Sequence, residues 1–209
     1  MGKPFKVFGL GLNKTGTSSL KVALRRLGYD HCRRQGRLAH AWFDGERDEV
    51  FAVADRFESF EDWPWPLMYR ELFERYGDGA RYILTTRKSP EIWVESLKKH
   101  TVVTRAGGVI RKKIYGYRYP HGAEAAHMDV YRAHNDAVRA YFLHHAPHLF
   151  LEVCWENGDG WPALCDFLLE PRRDTPFPHA NRKGTAAPDP EVVAENEKRI
   201  RRQLRKLKG

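Results

Sequence analysis

The sequence of 209 residues has no run of about 18 consecutive apolar residues, the length that a membrane-spanning helix requires. Its first residues lead directly into an apolar run from Phe5 to Leu10, without the longer apolar core or the cleavage site of a secretory signal. We therefore expect a cytoplasmic protein. There is also no internal repeat and no low-complexity tract. This length favours one domain, which we place over residues 1–209.

Cysteine is scarce, and its spacing fits neither a disulfide framework nor a metal site. The three cysteines, Cys32, Cys154 and Cys165, are odd in number and far apart. We expect them to be buried or idle thiols. The ten histidines are scattered along the chain. We therefore predict no metal site.

Acidic residues are outnumbered by basic ones. The chain has 36 Lys and Arg against 27 Asp and Glu, a formal net charge of +9. This excess favours an anionic partner without identifying it. A hydrophobic content of 42% excludes wholesale disorder.

Predicted strands and helices alternate along the chain. Short apolar runs predict strands over residues 5–10, 80–86 and 149–155, and a further strand ends near Phe60. Such alternation is typical of a parallel sheet covered on both faces. The predicted helices cover residues 17–27, 67–76, 90–99, 123–145, 161–169 and 189–208.

The most informative segment is the glycine loop, which we define as residues 9–19. It lies between the first strand and an amphipathic helix, so backbone N–H groups and the positive end of the helix dipole converge on one point. Such a turn is suited to binding phosphate. Lys14 adds a charge, and the other candidate ligands in the loop are Asn13, Thr15, Gly16, Thr17, Ser18 and Ser19.

Several interpretations of this loop compete. A dinucleotide-binding turn needs a third glycine where Lys14 stands. A nucleoside-triphosphatase loop needs a lysine where Thr17 stands, although Gly11 and Gly16 have the required separation. An ordinary glycine turn before a helix is a further alternative.

The string from Lys14 to Ser18 resembles the 5′-phosphosulfate-binding loop of sulfotransferases that use 3′-phosphoadenosine 5′-phosphosulfate (PAPS). A second segment supports the resemblance: Arg87 ends the predicted second strand, and Ser96 follows Pro90 by six residues. The gap from Arg87 to Pro90 is one residue longer than usual, which leaves Lys88 as an alternative contact. The order of these and later motifs resembles a bacterial PAPS-dependent sulfotransferase family over residues 5–184. The resemblance implies a three-layer α/β/α fold of the P-loop type with a parallel central sheet.

The resemblance implies roles for individual residues. Residues 13–19 would bind the 5′-phosphosulfate, with Lys14 stabilising the leaving oxygen, and Arg87 and Ser96 would bind the 3′-phosphate. Arg182 and Lys183 either contact the same phosphate or belong to a solvated loop.

The resemblance also implies a catalytic base shortly before a proline, and matching that proline to Pro64 makes Asp62 the candidate base. Alternatively, it caps the turn before Trp63, or it holds Lys14 or Arg87. Glu58 and Glu61 are fallback bases.

The implied activity is direct in-line transfer of a sulfuryl group from PAPS to a hydroxyl or amine, without a metal and without a covalent enzyme intermediate. We interpret residues 101–122 as an irregular basic loop, either a lid over a small-molecule or glycan acceptor, which its charge suggests is anionic, or an ordinary solvated loop. The helix over 189–208 has seven basic residues among residues 198–208, and we expect it to dock with a basic outer face. We expect no nucleic-acid partner. A P-loop kinase or nucleotide hydrolase, and a non-catalytic nucleotide- or polyanion-binding protein, remain as alternatives.

Overall fold

A computed structural model describes residues 2–33, 35–105, 108–180 and 187–209. The strands are β1 (Lys6–Gly9), β2 (Ser59–Phe60), β3 (Ala80–Thr85) and β4 (Phe150–Val153). The α-helices are α1 (Thr17–Arg26), α2 (Gly36–Phe43), α3 (Arg47–Arg56), α4 (Tyr69–Tyr76), α5 (Pro90–Val103), α6 (Gly108–Tyr115), α7 (Glu124–His145), α8 (Trp161–Leu168) and α9 (Pro190–Lys208). Short 3-10 turns cover Trp65–Met68, Gly77–Gly79, Pro147–Leu149 and Trp155–Asn157.

The chain divides into two compact units. The first comprises Met1–Lys88 and Asn135–Ala180, and the second comprises Ser89–His134 and Asn181–Gly209. The sheet lies entirely in the first unit. The assignment of residues 1–209 to a single domain stays a prediction.

All four strands run parallel, in the order β2-β1-β3-β4. The register pairs Gly9 with Ile83 and Thr85 with Val153. The predicted parallel sheet is therefore confirmed. Since parallel strands end at a common edge, the segments that follow β1, β3 and β4 leave the sheet together. This edge is where open α/β sheets bind ligands.

The strands alternate their side chains between two buried clusters, as the two-residue period of a strand requires. Phe8 and Tyr82 belong to the cluster covered by α3, α4 and the end of α7. Val7 and Ile83 belong to the cluster covered by α1 and α8. The first unit is thus a three-layer α/β/α structure, as predicted. Phe8 is fully buried, with its ring centroid 4.7 Å from that of Phe60.

The second unit contains α5, α6, the first part of α7 and α9. Helix α9 packs against α5, and the buried Asn196 fastens the two. Its amide donates to the carbonyls of Val102 and Thr104 at 2.8 and 2.9 Å and accepts from the Tyr119 hydroxyl at 2.8 Å. The predicted helix over residues 189–208 is confirmed, with Asp189 capping it through the N–H of Glu191.

The prediction of an irregular loop over residues 101–122 is wrong for much of its length. Residues 101–103 complete α5, and residues 108–115 form α6. Arg111 and Tyr115 are buried rather than solvated. The glycines misled the interpretation, because Gly108 begins α6 and Gly116, with φ of 77°, follows its end. They delimit a helix of two turns.

The cysteines are buried with free thiols, as predicted. Burial raises the pKa of the Cys32 thiol to about 11. None of the helices in the described ranges is both long and apolar enough to cross a membrane.

His31 gives the fold a predictable sensitivity to acid. Its ring is 8% exposed, and Nδ1 lies 2.9 Å from Ser59 Oγ. Burial, followed by nearby Lys21 and Arg25, lowers the pKa of His31 to about 4. An unfolded histidine titrates near about pH 6.5, so between these values the unfolded chain binds more protons than the folded one. Stability is therefore lost as the pH falls from about 6.5 towards 4.

We expect His31→Asn to remove up to about 3 kcal/mol of this acid-induced loss, because the amide keeps a polar group beside Ser59 but does not titrate. Urea unfolding at neutral and acidic pH measures the difference. His40→Asn, at an exposed position on α2, is the matched control. Identical pH dependence in wild type and His31→Asn would contradict the assignment.

Candidate active site

The glycine loop is held tightly against the end of β3. The Leu10 N–H donates to the Ile83 carbonyl at 2.7 Å. A methyl group on Gly11 would lie 2.0 Å from Thr85 Oγ1 and 2.4 Å from the Thr85 carbonyl oxygen. Only glycine fits at this position, so the loop and the end of β3 form one structural element.

The backbone of the loop leaves several N–H groups open. Lys14 and Gly16 have φ values of 73° and 94°, in the left-handed region. The N–H groups of Gly16, Thr17 and Ser18 donate to no backbone carbonyl in the part of the chain that the structure describes. They lie at the start of α1, where helical N–H groups lack intrahelical partners and the helix dipole is positive. The arrangement is suited to holding an anion.

The predicted hydroxyl ligands differ in what they contact. Thr15 Oγ1 donates to the Leu12 carbonyl at 2.6 Å and lies 2.7 Å from Thr85 Oγ1, so it braces the loop. Ser19 Oγ accepts from the Ala180 N–H at 3.2 Å. The Thr17 and Ser18 hydroxyls make no hydrogen bond within the described residues, and Asn13 lies half-buried in the loop.

Lys14 is the half-buried cation of the loop. Its ammonium group makes no hydrogen bond or ion pair with any residue that the structure describes. Burial lowers its pKa, and the nearby Arg87 charge lowers it further. The structure therefore brings together the two cations that the sequence singled out. An uncompensated cation beside a second one favours an anionic ligand.

Arg87 follows β3, and Glu156 follows β4 in the Trp155–Asn157 turn. The guanidinium Nη2 of Arg87 lies 2.8 Å from one carboxylate oxygen of Glu156. The other oxygen accepts from the Lys88 N–H at 3.1 Å. Glu156 thus contacts both the side chain and the backbone at the end of β3.

Trp155, in the same turn, contacts the glycine loop. Its Nε1–H donates to the Gly16 carbonyl at 3.2 Å, and its ring would lie 2.3 Å from a methyl group on Gly16. The ring also packs on Phe177, with centroids 4.5 Å apart. Sequence reasoning missed Trp155 and Glu156, because one aromatic and one acid after a strand form no recognisable spacing.

The three candidate bases have different surroundings. Asp62, with φ of 68°, accepts from the Trp63 N–H through Oδ1 at 2.9 Å, so it caps the turn as one alternative expected. Glu61 is buried and pairs with Lys21 at 3.1 Å. Glu58 accepts from the N–H groups of Lys3 and Asp30, each at 2.8 Å.

The Glu58 carboxylate has a structural role, because it accepts hydrogen bonds from two backbone N–H groups. Burial raises the pKa of Glu58, but the hydrogen bonds from the Asp30 and Lys3 backbones outweigh it and leave the pKa below its usual value. The role of Asp62 as base stays a prediction.

Three predicted ligands of the 3′-phosphate lie outside the described residues of the first unit. Ser96 lies half-buried on α5, in the second unit. Arg182 and Lys183 lie outside the described residues. Their assignments stay predictions. Within the described ranges, no group of three or more His, Cys, Asp or Glu side chains could hold a metal ion.

The close approach of Gly11 to Thr85 predicts that Gly11→Ala is destabilising. The methyl group must displace strand backbone, and such overpacking costs about 1–3 kcal/mol, or about 2–12 °C in Tm for a chain of this size. Gly36→Ala is the control, since the added methyl meets no atom within 4 Å apart from its chain neighbours and the backbone of its own helix. Calorimetry compares the two variants, and equal Tm values would contradict the packing described.

Comparison with known proteins agrees with this geometry. A family model described as a sulfotransferase domain matches residues 6–186. The chain is also similar to the Ava biosynthesis cluster protein M of Aspergillus versicolor, with 28% identity over 83% of this chain and 80% of that protein. The family match covers most of the chain, including the glycine loop, Arg87 and the Trp155–Asn157 turn. The chain therefore belongs to the sulfotransferase domain family, and its function is of the sulfotransfer type.

Proposed function

We propose that the protein transfers a sulfuryl group from PAPS to a hydroxyl or amine of an acceptor. One observation carries the proposal: among the described residues the Lys14 ammonium has no hydrogen-bond or ion-pair partner, and it lies in a loop of open N–H groups, close enough to Arg87 for the guanidinium charge to lower the pKa of Lys14. A donor with phosphate groups at both ends of its ribose matches two cations at one sheet edge.

The residues of the loop fit this donor better than they fit ATP with magnesium. Thr17 stands where a nucleoside-triphosphatase loop has its lysine, and Lys14 lies inside the loop. Kinases and nucleotide hydrolases of the P-loop class also hold magnesium with a carboxylate near the end of a neighbouring strand. Here β1 has two neighbouring strands. Arg87 follows β3, which favours a second phosphate, whereas Glu61 and Asp62 follow β2 and are engaged by Lys21 and by the Trp63 N–H.

In the proposed mechanism, an acceptor oxygen or nitrogen forms a bond to sulfur as the bond from sulfur to the bridging phosphate oxygen breaks. Lys14 donates a hydrogen bond to that oxygen as its negative charge develops. The N–H groups of Gly16, Thr17 and Ser18 hold the phosphate, and Arg87 binds the 3′-phosphate. The leaving product is 3′-phosphoadenosine 5′-phosphate (PAP), and no covalent enzyme intermediate forms.

In this proposal Asp62 is the base that removes the proton from the hydroxyl or amine receiving the sulfuryl group. The hydrogen bond from the Trp63 N–H to Oδ1 fixes the orientation of its carboxylate. The acceptor itself is a small molecule or glycan, and the basic excess of the chain favours an anionic one.

The donor is tested by thermal-shift titration with PAP and, separately, with ATP and magnesium. At PAP concentrations near 100 times Kd, we expect about 2.7 kcal/mol of stabilisation, or a rise of about 5–10 °C in Tm. Stabilisation by ATP with magnesium and not by PAP would instead support a kinase or nucleotide hydrolase.

Catalysis is tested with labelled PAPS over a panel of acceptors. We expect Lys14→Ala to lower sulfuryl transfer by about 100-fold or more, because it removes the group that stabilises the leaving oxygen. Lys99→Ala is the matched control: it removes an exposed lysine on α5 that has no assigned role in binding or catalysis, and we expect little change. Equal losses in both variants would contradict the role of Lys14. PAP binding without transfer to any acceptor would favour a protein that only binds nucleotides.

The lowered pKa of Lys14 predicts the pH dependence of PAP binding. Lysine attracts phosphate only in its protonated form, which exists below its pKa, so a lowered pKa moves the loss of affinity to a less alkaline pH. Lys14→Arg stays protonated to above about pH 12 and should move that loss to higher pH. Calorimetric titration between about pH 7 and about pH 10 measures both profiles. Coincident profiles would assign the loss to another group.

A further inference from the structure

The turn that follows β4 contacts both parts of the proposed nucleotide site. We propose that Glu156 is a positioning residue, which orients Arg87 towards the 3′-phosphate of the donor. This inference rests on the proposed function. Nothing in the sequence motifs or in the family match assigns a role to Glu156.

Glu156 contacts both the Arg87 side chain and the backbone of the next residue, Lys88. One oxygen accepts from Arg87 Nη2 at 2.8 Å, and the other accepts from the Lys88 N–H at 3.1 Å. The side chains of Arg87 and Glu156 are 24% and 32% exposed, so the pair is only partly screened by solvent. The carboxylate therefore restrains both the guanidinium and the backbone that carries it.

The turn itself is anchored. The Asp159 carboxylate accepts from the Cys154 N–H at 2.7 Å, immediately before the turn begins. The Trp155 Nε1–H donates to the Gly16 carbonyl at 3.2 Å. Glu156 therefore lies on an anchored turn, and this turn contacts both the glycine loop and Arg87.

The two possible roles of Glu156, positioning and charge repulsion alone, predict opposite changes in PAP affinity when its charge is removed. A carboxylate beside a phosphate site repels the ligand, so removing its charge would tighten phosphate binding if charge alone mattered. An arginine side chain that loses one of its restraints becomes more mobile, and ordering it when the ligand binds weakens binding. The direction of the change therefore distinguishes the two roles.

The test measures calorimetric Kd values for PAP and for adenosine 5′-phosphate, which lacks the 3′-phosphate. We expect Glu156→Gln to weaken PAP binding by about tenfold. It should leave the affinity for adenosine 5′-phosphate unchanged, because that ligand does not need Arg87. Glu156→Asp keeps the charge and should recover part of the loss. In an Arg87→Ala background, Glu156→Gln should have no further effect.

Glu152→Gln is the matched control. It removes the same charge from β4, close in the chain to Glu156, but its carboxylate contacts Arg139 and not Arg87, so we expect the ratio of the two Kd values to equal that of wild type. Circular dichroism checks that each variant folds. If Glu156→Gln does not fold, Glu156→Asp carries the test, and we expect it to weaken PAP binding selectively.

Three results would overturn the inference. Unchanged or tighter PAP binding by Glu156→Gln contradicts positioning, and so does an equal weakening for both nucleotides. If wild type binds no PAP, the proposed function fails as well. If wild type binds PAP but Glu156→Gln does not selectively weaken that binding, the proposed function stands and the positioning role of Glu156 is wrong.

Discussion

The close approach of Gly11 to Thr85 is the constraint on which the candidate site depends. It fixes the glycine loop against the end of β3, where a methyl group on Gly11 would lie 2.0 Å from Thr85 Oγ1. The parallel register of β1 and β3 then brings Lys14 and Arg87 to the same edge of the sheet. The site follows from backbone packing before any side-chain chemistry is considered.

The charges at this edge of the sheet favour an anionic ligand. The loop contributes open N–H groups and an ammonium without a partner among the described residues, whereas Arg87 is held by Glu156. A folded protein tolerates a half-buried, uncompensated cation when a ligand neutralises it. The lowered pKa of Lys14 has the same origin, namely burial and the proximity of Arg87. Of the basic residues behind the +9 net charge, Lys14 and Arg87 at this edge are the ones that we assign to an anionic ligand.

Local patterns explain what the sequence predicted well. The strand, glycine loop and amphipathic helix at residues 6–26 are contiguous, so their residue periods and the glycines between them predict these elements and place Lys14 in the loop. Arg87 was singled out because it follows a clear strand. Helix α6 was missed because glycines at both ends suggested a loop, and its buried Arg111 made it look solvated.

Tertiary pairing explains what the sequence could not predict. Trp155 and Glu156 lie far along the chain from Gly16 and Arg87, and only the pairing of β3 with β4 brings them together. The bracing of Thr15 by Thr85 and of Ser19 by Ala180 depends in the same way on contacts between distant segments.

The central claim is that one nucleotide is recognised at two phosphates, by Lys14 at one end and Arg87 at the other. A phosphorus NMR titration of PAP tests it most directly, because the two phosphates give separate resonances. The account predicts that both resonances shift on binding, that Lys14→Ala mainly diminishes the shift of the 5′-phosphate, and that Arg87→Ala mainly diminishes that of the 3′-phosphate. A shift confined to one resonance in the wild-type protein, or no shift at either, would contradict it.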